Sequence, residues 1–468
     1  MKTTSSLRVP QGNIASALAV FAAGLNEHSL PEAVWTKSVH HIVDGIGLAF
    51  ASHQFPFSAP GLAGIAAAGG VGDGTVIGST RRLAPRDAAM ANGFLMHGLD
   101  FDDTHPASIV HPTVACLPAA LAVGEAVGAR WGELIAAYVA GMETCIRLGQ
   151  SVNGGFHHAG FHATGLLSHF SAAVVAGKLL GLDAKQLIDA QGIAASTASG
   201  VQVFLEDGAW TKRMHPGWGA LAGITAAYMV RHGFASPQRP YEGRFGFFET
   251  HMQTHAGEVD LDSIAEGLGS RWTILDTAIK PYPVCHFIHG CAEAALQLHA
   301  QIGDPAQVLK VTCELPAATM PIVAEPAAAK AVPRSDYEAK FSAHFVVSAC
   351  LLRGEFGLGE LSDESLRDPA ILAMAQRVEC IEEKDSQFPK YFSGVVTVHL
   401  ASGKVLSRLV PVNLGSGDRA LSREDIVAKF RGTAGIDLER ARVASILDVL
   451  LSATPDTPVR AIAAALRG

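Results

Sequence analysis

The sequence predicts a mainly α protein, with a large all-helical domain and a smaller α+β domain. Three observations lead there. Apolar periodicity with clear start and stop signals recurs through the first 270 or so residues, short β-rich runs gather after them, and helical periodicity returns after residue 420. With 468 residues, the chain exceeds the roughly 250–300 at which a single core stops growing. The expected division is 1–272 helical, 273–412 α+β, and 413–468 as C-terminal helices returning to the first domain.

Taken in order, Ile14–Leu25 reads as a first amphipathic helix. Met1–Lys2 and Arg8 ahead of it give a faint secretory-signal pattern, the alternative to that reading. Ser29-Leu30-Pro31-Glu32 has the form of a capping box opening a helix that runs to about His53. Further helices are expected from Pro118 to Val127, from Glu133 to Leu148 with a stop at Gly149, and from Gly165 to Leu180 with a stop at Gly181. Asp183–Gln186 caps the next helix, and Trp218–His232 ends at Gly233. The β-rich runs are Trp272–Ile279, Val308–Leu315, Arg377–Ile381, Val395–Leu400 and Val405–Val412, the last two joined by a Ser402-Gly403 turn. A helix over Tyr337–Arg353 interrupts them, and Ser422–Phe430, Leu438–Leu451 and Thr457–Leu466 close the chain. Strands kept apart from helices point to α+β rather than a βαβ sheet.

Composition narrows the function. Hydrophobic residues make up 49% and charged residues 17%, a globular balance, and the net charge of −8 is no nucleic-acid footprint. No run of uninterrupted apolar residues is long enough to span a membrane. Seven scattered cysteines without a CxxC pair fit reduced thiols in a cytoplasm better than a disulfide framework.

Four clusters stand out. The densest is His97-Gly98-Leu99-Asp100-Phe101-Asp102-Asp103-Thr104-His105, followed by His111-Pro112. A helix over 93–104 would set Asp100, Asp103 and Thr104 on one face with His97; an ordinary capped helix end is the plain alternative. Gly154–Gly165 is glycine- and histidine-rich and leads into a helix N-terminus, where free N–H groups favour a carboxylate and His162 is placed as an acid or base. A bare structural loop is its alternative. Trp210–Gly217 brings Lys212, Arg213 and His215 to another helix start, suited to a substrate with two or three carboxylates, or else to a solvated cation pair. Lys280–His286 with His289 and Cys291 is the fourth; Cys285 and His289 lie one turn apart, but the spacing matches no common zinc pattern. No P-loop, dinucleotide fingerprint or G-x-S-x-G elbow is present.

Together, NGFLMHGLDFDDTH…HPT, GFHATG, TKRMHPGWGALAG and KPYPVCH, with EAKFS at Glu338–Ser342, resemble the MmgE/PrpD superfamily over nearly the whole chain. Its members include 2-methylcitrate dehydratase, cis-aconitate decarboxylase and iminodisuccinate epimerase. The resemblance implies a homodimer, a helical domain with an α+β lid domain, and no metal or organic cofactor. Carried over from the decarboxylase branch, the site residues are Asp100, Thr104, His111, His162 and Lys212. A lid tyrosine of that branch is not matched, since Pro326-Ala327-Ala328 occupies its region, which counts against cis-aconitate decarboxylation.

The implied activity is a cofactor-independent lyase, 2-methylcitrate dehydratase-like, acting on a small di- or tricarboxylate at a C–H beside a carboxylate. A dicarboxylate epimerase or cis-aconitate decarboxylase is the alternative within the family. His162 and His111 would serve as acid and base, Lys212 would neutralise the carboxylate on which charge builds, Asp100 would fix a histidine tautomer or a water, and Thr104 would donate to a substrate oxygen. Arg213, Lys280, His105 and His286 would help bind substrate. From other classes, the rivals are a metal-dependent hydrolase using His97, Asp100, Asp103 and His105, and a non-catalytic carboxylate-binding protein.

Overall fold

The computed structural model describes residues 13–468; Met1–Lys2 and Arg8, on which the signal-like alternative rested, lie outside them. The chain is mainly helical and divides into two compact units. The first comprises residues up to Phe204, Trp210–Thr277 and Ser422–Gly468; the second comprises Leu205–Ala209 and Ala278–Leu421. Among the described residues, no helix is long and apolar enough to cross a membrane.

The first unit is a stack of helices crowded around two buried ones. Thr211–Arg231 packs against both Ala163–Leu179 and Pro85–His97, and Trp131–Gln150 packs on Ala163–Leu179 from elsewhere. Small residues set these distances. A Cβ on Gly217 would lie 2.3 Å from the Met90 carbonyl oxygen, and one on Gly93 would lie 2.7 Å from the Gly217 Cα. Backbone therefore meets backbone where these helices cross, and any side chain there would force them apart. That crossing fixes Lys212 and His215, near one helix start, beside His97 at the other helix's end.

Several local expectations fail for identifiable reasons. Ser29 does not cap the following helix: it closes a turn back onto Asn26, and Glu32–Ser52 begins after Pro31 without a side-chain cap. Pro118 lies inside the Thr113–Val127 helix rather than opening it. Gly149 is no stop signal, because Trp131–Gln150 runs through it; a Cβ there would lie 2.7 Å from that of Ser108, so the glycine admits the 105–110 loop. Trp272–Ile279 forms no strand but a 3₁₀ turn over Thr273–Asp276, where the Ile274 N–H donates to Glu143 and Trp272 packs on Phe21. Tertiary contacts overrule β-propensity there. Tyr337–Arg353 is broken at Ser342, which caps Ala343–Arg353.

The helix expected over 93–104 ends at His97. Asp100 then takes a left-handed backbone conformation at φ 51°, one that aspartate tolerates better than most residues. The Asp183–Gln186 capping box forms as expected, and Gly181 and Gly233 adopt positive φ just beyond their helices.

The second unit carries a four-stranded sheet in the order Val378–Glu382, Val308–Leu315, Gly394–Leu400, Val405–Val410. The last two strands form the expected hairpin. The first pair is parallel, a departure from full segregation of strand and helix, since the connection between them runs through Ala343–Arg353 and other short helices. His289–Ile302 packs on the sheet, as does Ala343–Arg353.

Candidate active site

Three loops of the first unit converge where Pro85–His97 ends and where Ala163–Leu179 and Thr211–Arg231 begin. The pieces are tied by backbone as well as side chains. The His111 N–H donates to Thr164 Oγ1 (3.0 Å), the His162 N–H donates to the Gly200 carbonyl (2.9 Å), and Arg213 Nε donates to the Gly98 carbonyl (2.8 Å). Arg213 also lies 4.3 Å over the Phe57 ring, so its charged head holds the turn that carries Asp100.

Two groups of side chains face one another. In the first, Asp102 Oδ2 accepts from His97 Nδ1 (2.8 Å) and lies 3.3 Å from His111 Nδ1. His111 Nδ1 is 2.7 Å from the Asp103 carbonyl and 3.2 Å from Thr104 Oγ1. A backbone carbonyl can only accept, so the Nδ1 of His111 carries a proton, and whenever the ring is neutral its Nε2 holds the lone pair. Beneath, the Asp103 carboxylate accepts from Thr113 Oγ1 (2.6 Å) and pairs with the buried His41 (2.9 Å). Lys212 Nζ bonds Asp100 Oδ1 at 2.6 Å, and His111 Nε2 lies 4.0 Å from the same oxygen.

In the second group, His162 and His215 face each other through their Nδ1 atoms at 3.0 Å. One must donate and the other accept, so the two neutral rings hold opposite tautomers and present one basic and one N–H-bearing Nε2. Among the described residues, no carboxylate is within salt-bridge distance of this pair, and Phe204 packs edge-on against both rings. Burial, then the neighbouring His215, Lys212, His97 and His111, hold His162 well below the usual imidazole range. Burial, aided by His97 and Lys212, lowers His215 to about 4. Both are neutral imidazoles near pH 7.

The groups meet through stacked rings. His162 lies 5.6 Å from His97 at an interplanar angle of 21°, and 6.4 Å from His111. The structure thus brings Asp100, Thr104, His111, His162 and Lys212 together in the first unit. His105 turns away into its own loop, where Nδ1 accepts from the Ser108 N–H (3.2 Å) and burial pushes it down to about 3. Lys280 and His286 belong to the second unit, where both are buried and Asn413 Nδ2 donates to His286 Nε2 (2.8 Å).

The sequence assigns no specific role to Asp102 or His41, places His97 only in the metal-binding alternative, and places His215 only beside the cations of its helix start. His215 was within reach, because Lys212 and His215 stand three apart at a helix start and share a face. Asp102 was hidden by the expected helix, which favoured Asp100 and Asp103 instead. His41 arrives from a distant helix and leaves no local signal. His97, Asp102 and His111 also place one ligand atom each within 4.8 Å of one another, the only metal-competent group among the described residues.

The MmgE/PrpD N-terminal domain matches residues 16–259 and the MmgE/PrpD C-terminal domain residues 282–452. Cis-aconitate decarboxylase of Aspergillus terreus is 25% identical over 460 residues, covering 94% of this chain and 93% of its own length. The cis-aconitate decarboxylase-like protein oryM of Aspergillus oryzae is 24% identical over 478 residues, 98% of each chain. Human cis-aconitate decarboxylase is 27% identical over 394 residues, 79% of this chain and 76% of its own. With both domain matches in chain order over most of its length, the chain belongs to the MmgE/PrpD family.

Proposed function

We propose that this protein is a lyase that moves a proton at a carbon beside a carboxylate of a small di- or tricarboxylate, using its own side chains. The observation that carries the reading is the packing of four imidazoles, two of them held neutral, around a buried ammonium. A neutral imidazole near pH 7 can take a proton from carbon or return one, and Lys212 offers the positive charge on which an enolate-like or carbanionic state depends. An entering carboxylate adds negative charge beside His162 and raises its proton affinity, so substrate itself primes the acid form.

His111, with Nδ1 fixed by the Asp103 carbonyl, directs Nε2 toward Asp100, the carboxylate that holds Lys212, and in its neutral form would act there as the base. His162 works from the other side, with His215 setting its tautomer. Asp100 orients the ammonium, and Thr104 stands by His111 Nδ1. Arg213 supports the turn bearing Asp100. In a decarboxylation, the C–C bond to one carboxylate breaks, its electron pair spreads over the remaining unsaturated acid, and a histidine delivers the proton. In a dehydration, one histidine removes the proton from carbon, the adjacent C–O bond breaks, and the other histidine gives its proton to the departing hydroxide, which leaves as water. An epimerisation needs only the proton step.

The relatives' names favour decarboxylation of a cis-aconitate-like acid. Dehydration of a 2-methylcitrate-like acid is favoured by Pro326-Ala327-Ala328 standing where the decarboxylase branch carries a tyrosine. Proton NMR of the protein with cis-aconitate, 2-methylcitrate, citrate and iminodisuccinate in deuterium oxide separates them. Deuterium should enter one of these acids, with loss of carbon dioxide, loss of water, or neither. If none of them exchanges, the reading fails.

A second reading, metal-assisted chemistry, draws on the His97–Asp102–His111 group. Asp102 accepting from His97, with His111 Nδ1 3.3 Å away and donating to the Asp103 carbonyl, accounts for the same geometry without a cation. Metal analysis and a chelator arm in the same assay decide between them. Seven free cysteines support a reducing, cytoplasmic setting, and the exposed Val201, Val203, Trp210 and Trp218 support a homodimer; sedentary monomers in ultracentrifugation would count against the latter.

A further inference from the structure

Away from the histidine cluster, the second unit gathers three of the seven cysteines at its sheet. Cys313, on the Val308–Leu315 strand, and Cys380, on Val378–Glu382, are register partners on neighbouring parallel strands. Register partners point to the same face and stand about 4.8 Å apart, inside the Cα separation of roughly 4.4–6.8 Å that a disulfide spans. Cys291, on the helix covering that face, is the third thiol of the group. Cys313 and Cys291 are buried, whereas Cys380 is half-buried on the outermost strand of the sheet. His344, from the helix Ala343–Arg353, brings its ring nitrogens to 3.8 and 4.0 Å from Cys380 Sγ.

We propose that Cys380 is a peroxide-reactive thiolate, with Cys313 as its resolving partner, and that the two form a reversible disulfide joining the edge strand to its neighbour. The chemistry has its parts in place. The Cys380 thiolate attacks the O–O bond of a hydroperoxide; an S–O bond forms, the O–O bond breaks, and hydroxide or alkoxide leaves. The Cys313 sulfur then attacks the sulfenic sulfur; the S–S bond forms, the S–O bond breaks, and hydroxide departs with the Cys313 proton as water. A dithiol reductant reverses the result.

The electrostatics fit these roles. The hydrogen bond from Cys313, helped by His344, lowers Cys380 to about 6 against the opposing effect of burial. Its donor Cys313 is raised well above the ordinary thiol value by its hydrogen bonds with Cys291 and Cys380 and by burial. Cys116, Cys145 and Cys350 are all pushed up by burial and serve as internal controls.

The test is peptide mapping of the full-length native protein. Without oxidant, a brief pulse of iodoacetamide near neutral pH should label Cys380 at least about tenfold faster than Cys116, Cys145 or Cys350. After hydrogen peroxide and blocking of remaining thiols, a Cys313–Cys380 linked peptide should appear and vanish on reduction. In C313S, which keeps a hydrogen-bond donor beside Cys380 but cannot resolve it, oxidised Cys380 should instead be trapped by dimedone as its sulfenic acid. Labelling of Cys380 no faster than the controls, or oxidation of wild type without the Cys313–Cys380 link, overturns the proposal. Neither readout depends on the lyase assignment.

Discussion

The two halves of the histidine cluster differ in what holds their rings. His97 and His111 are fixed by negative or carbonyl oxygen: the Asp102 carboxylate and the Asp103 carbonyl. His162 and His215 hydrogen-bond each other and pack against neighbouring rings, His97 and Phe204 among them. Burial, with neighbouring rings and the Lys212 ammonium, holds His162 and His215 below the usual imidazole range. One half of the cluster thus supplies neutral rings that set each other's tautomer, and the other supplies rings oriented by oxygen acceptors.

The largest effect that would sharpen the contrast is loss of the second half. H162Q should lower kcat on the substrate found by deuterium exchange by about 10²–10⁴, the range for a positioned acid–base group. A loss below about threefold would remove His162 from the chemistry. D102N tests the first half. A buried carboxylate that sets a histidine's tautomer is worth up to about 10⁴ in kcat, and we expect at least about 10² here, with KM little changed. H215N should cost less, roughly tenfold, the size of one hydrogen bond that selects a tautomer. If H215N hurts more than D102N, the ring partner of His162 matters more to turnover than the carboxylate partner of His97, and the expected order of these two orienting contacts is reversed.

The smallest effect is on stability. His105, at about 3, and His169, at about 4, are buried and neutral, and the half-buried His157, at about 4, is neutral as well. Their folded values lie below the ordinary 6.5, so the unfolded chain binds more protons as pH falls through that value. Stability should therefore be full above about pH 6.5 and fall toward pH 5, by up to about 1.4 kcal/mol per pH unit for each such histidine. Asp44, raised to about 6 by burial, works in the opposite direction over part of that window and offsets about one of them. Tm measured at a series of pH values checks the sign; a rising Tm toward pH 5 would show that these rings are not held neutral.

Much of the architecture was legible locally. Caps such as Asp183–Gln186, glycines beyond helix ends, and the hairpin at Ser402-Gly403 are interactions among near neighbours, and they form as read. Errors arose where a residue's meaning depends on a distant partner. Gly149 looked like a stop until Ser108 was brought against it, and Trp272–Ile279 looked like a strand until Glu143 and Phe21 were supplied. The helix expected over 93–104 misplaced the carboxylates, and Asp102 went without a role for that reason.

By itself, then, the sequence determined the helical body, the strand cluster and the family, because periodicity, caps and ordered motifs are short-range or linear signals. It also supplied the residue types of the site. Only the tertiary structure decided which carboxylate serves which imidazole, that His215 partners His162, and that His41 lies beneath Asp103. Proton affinities follow burial and separations of a few ångströms, and those exist only once helices distant in sequence cross at Gly93 and Gly217.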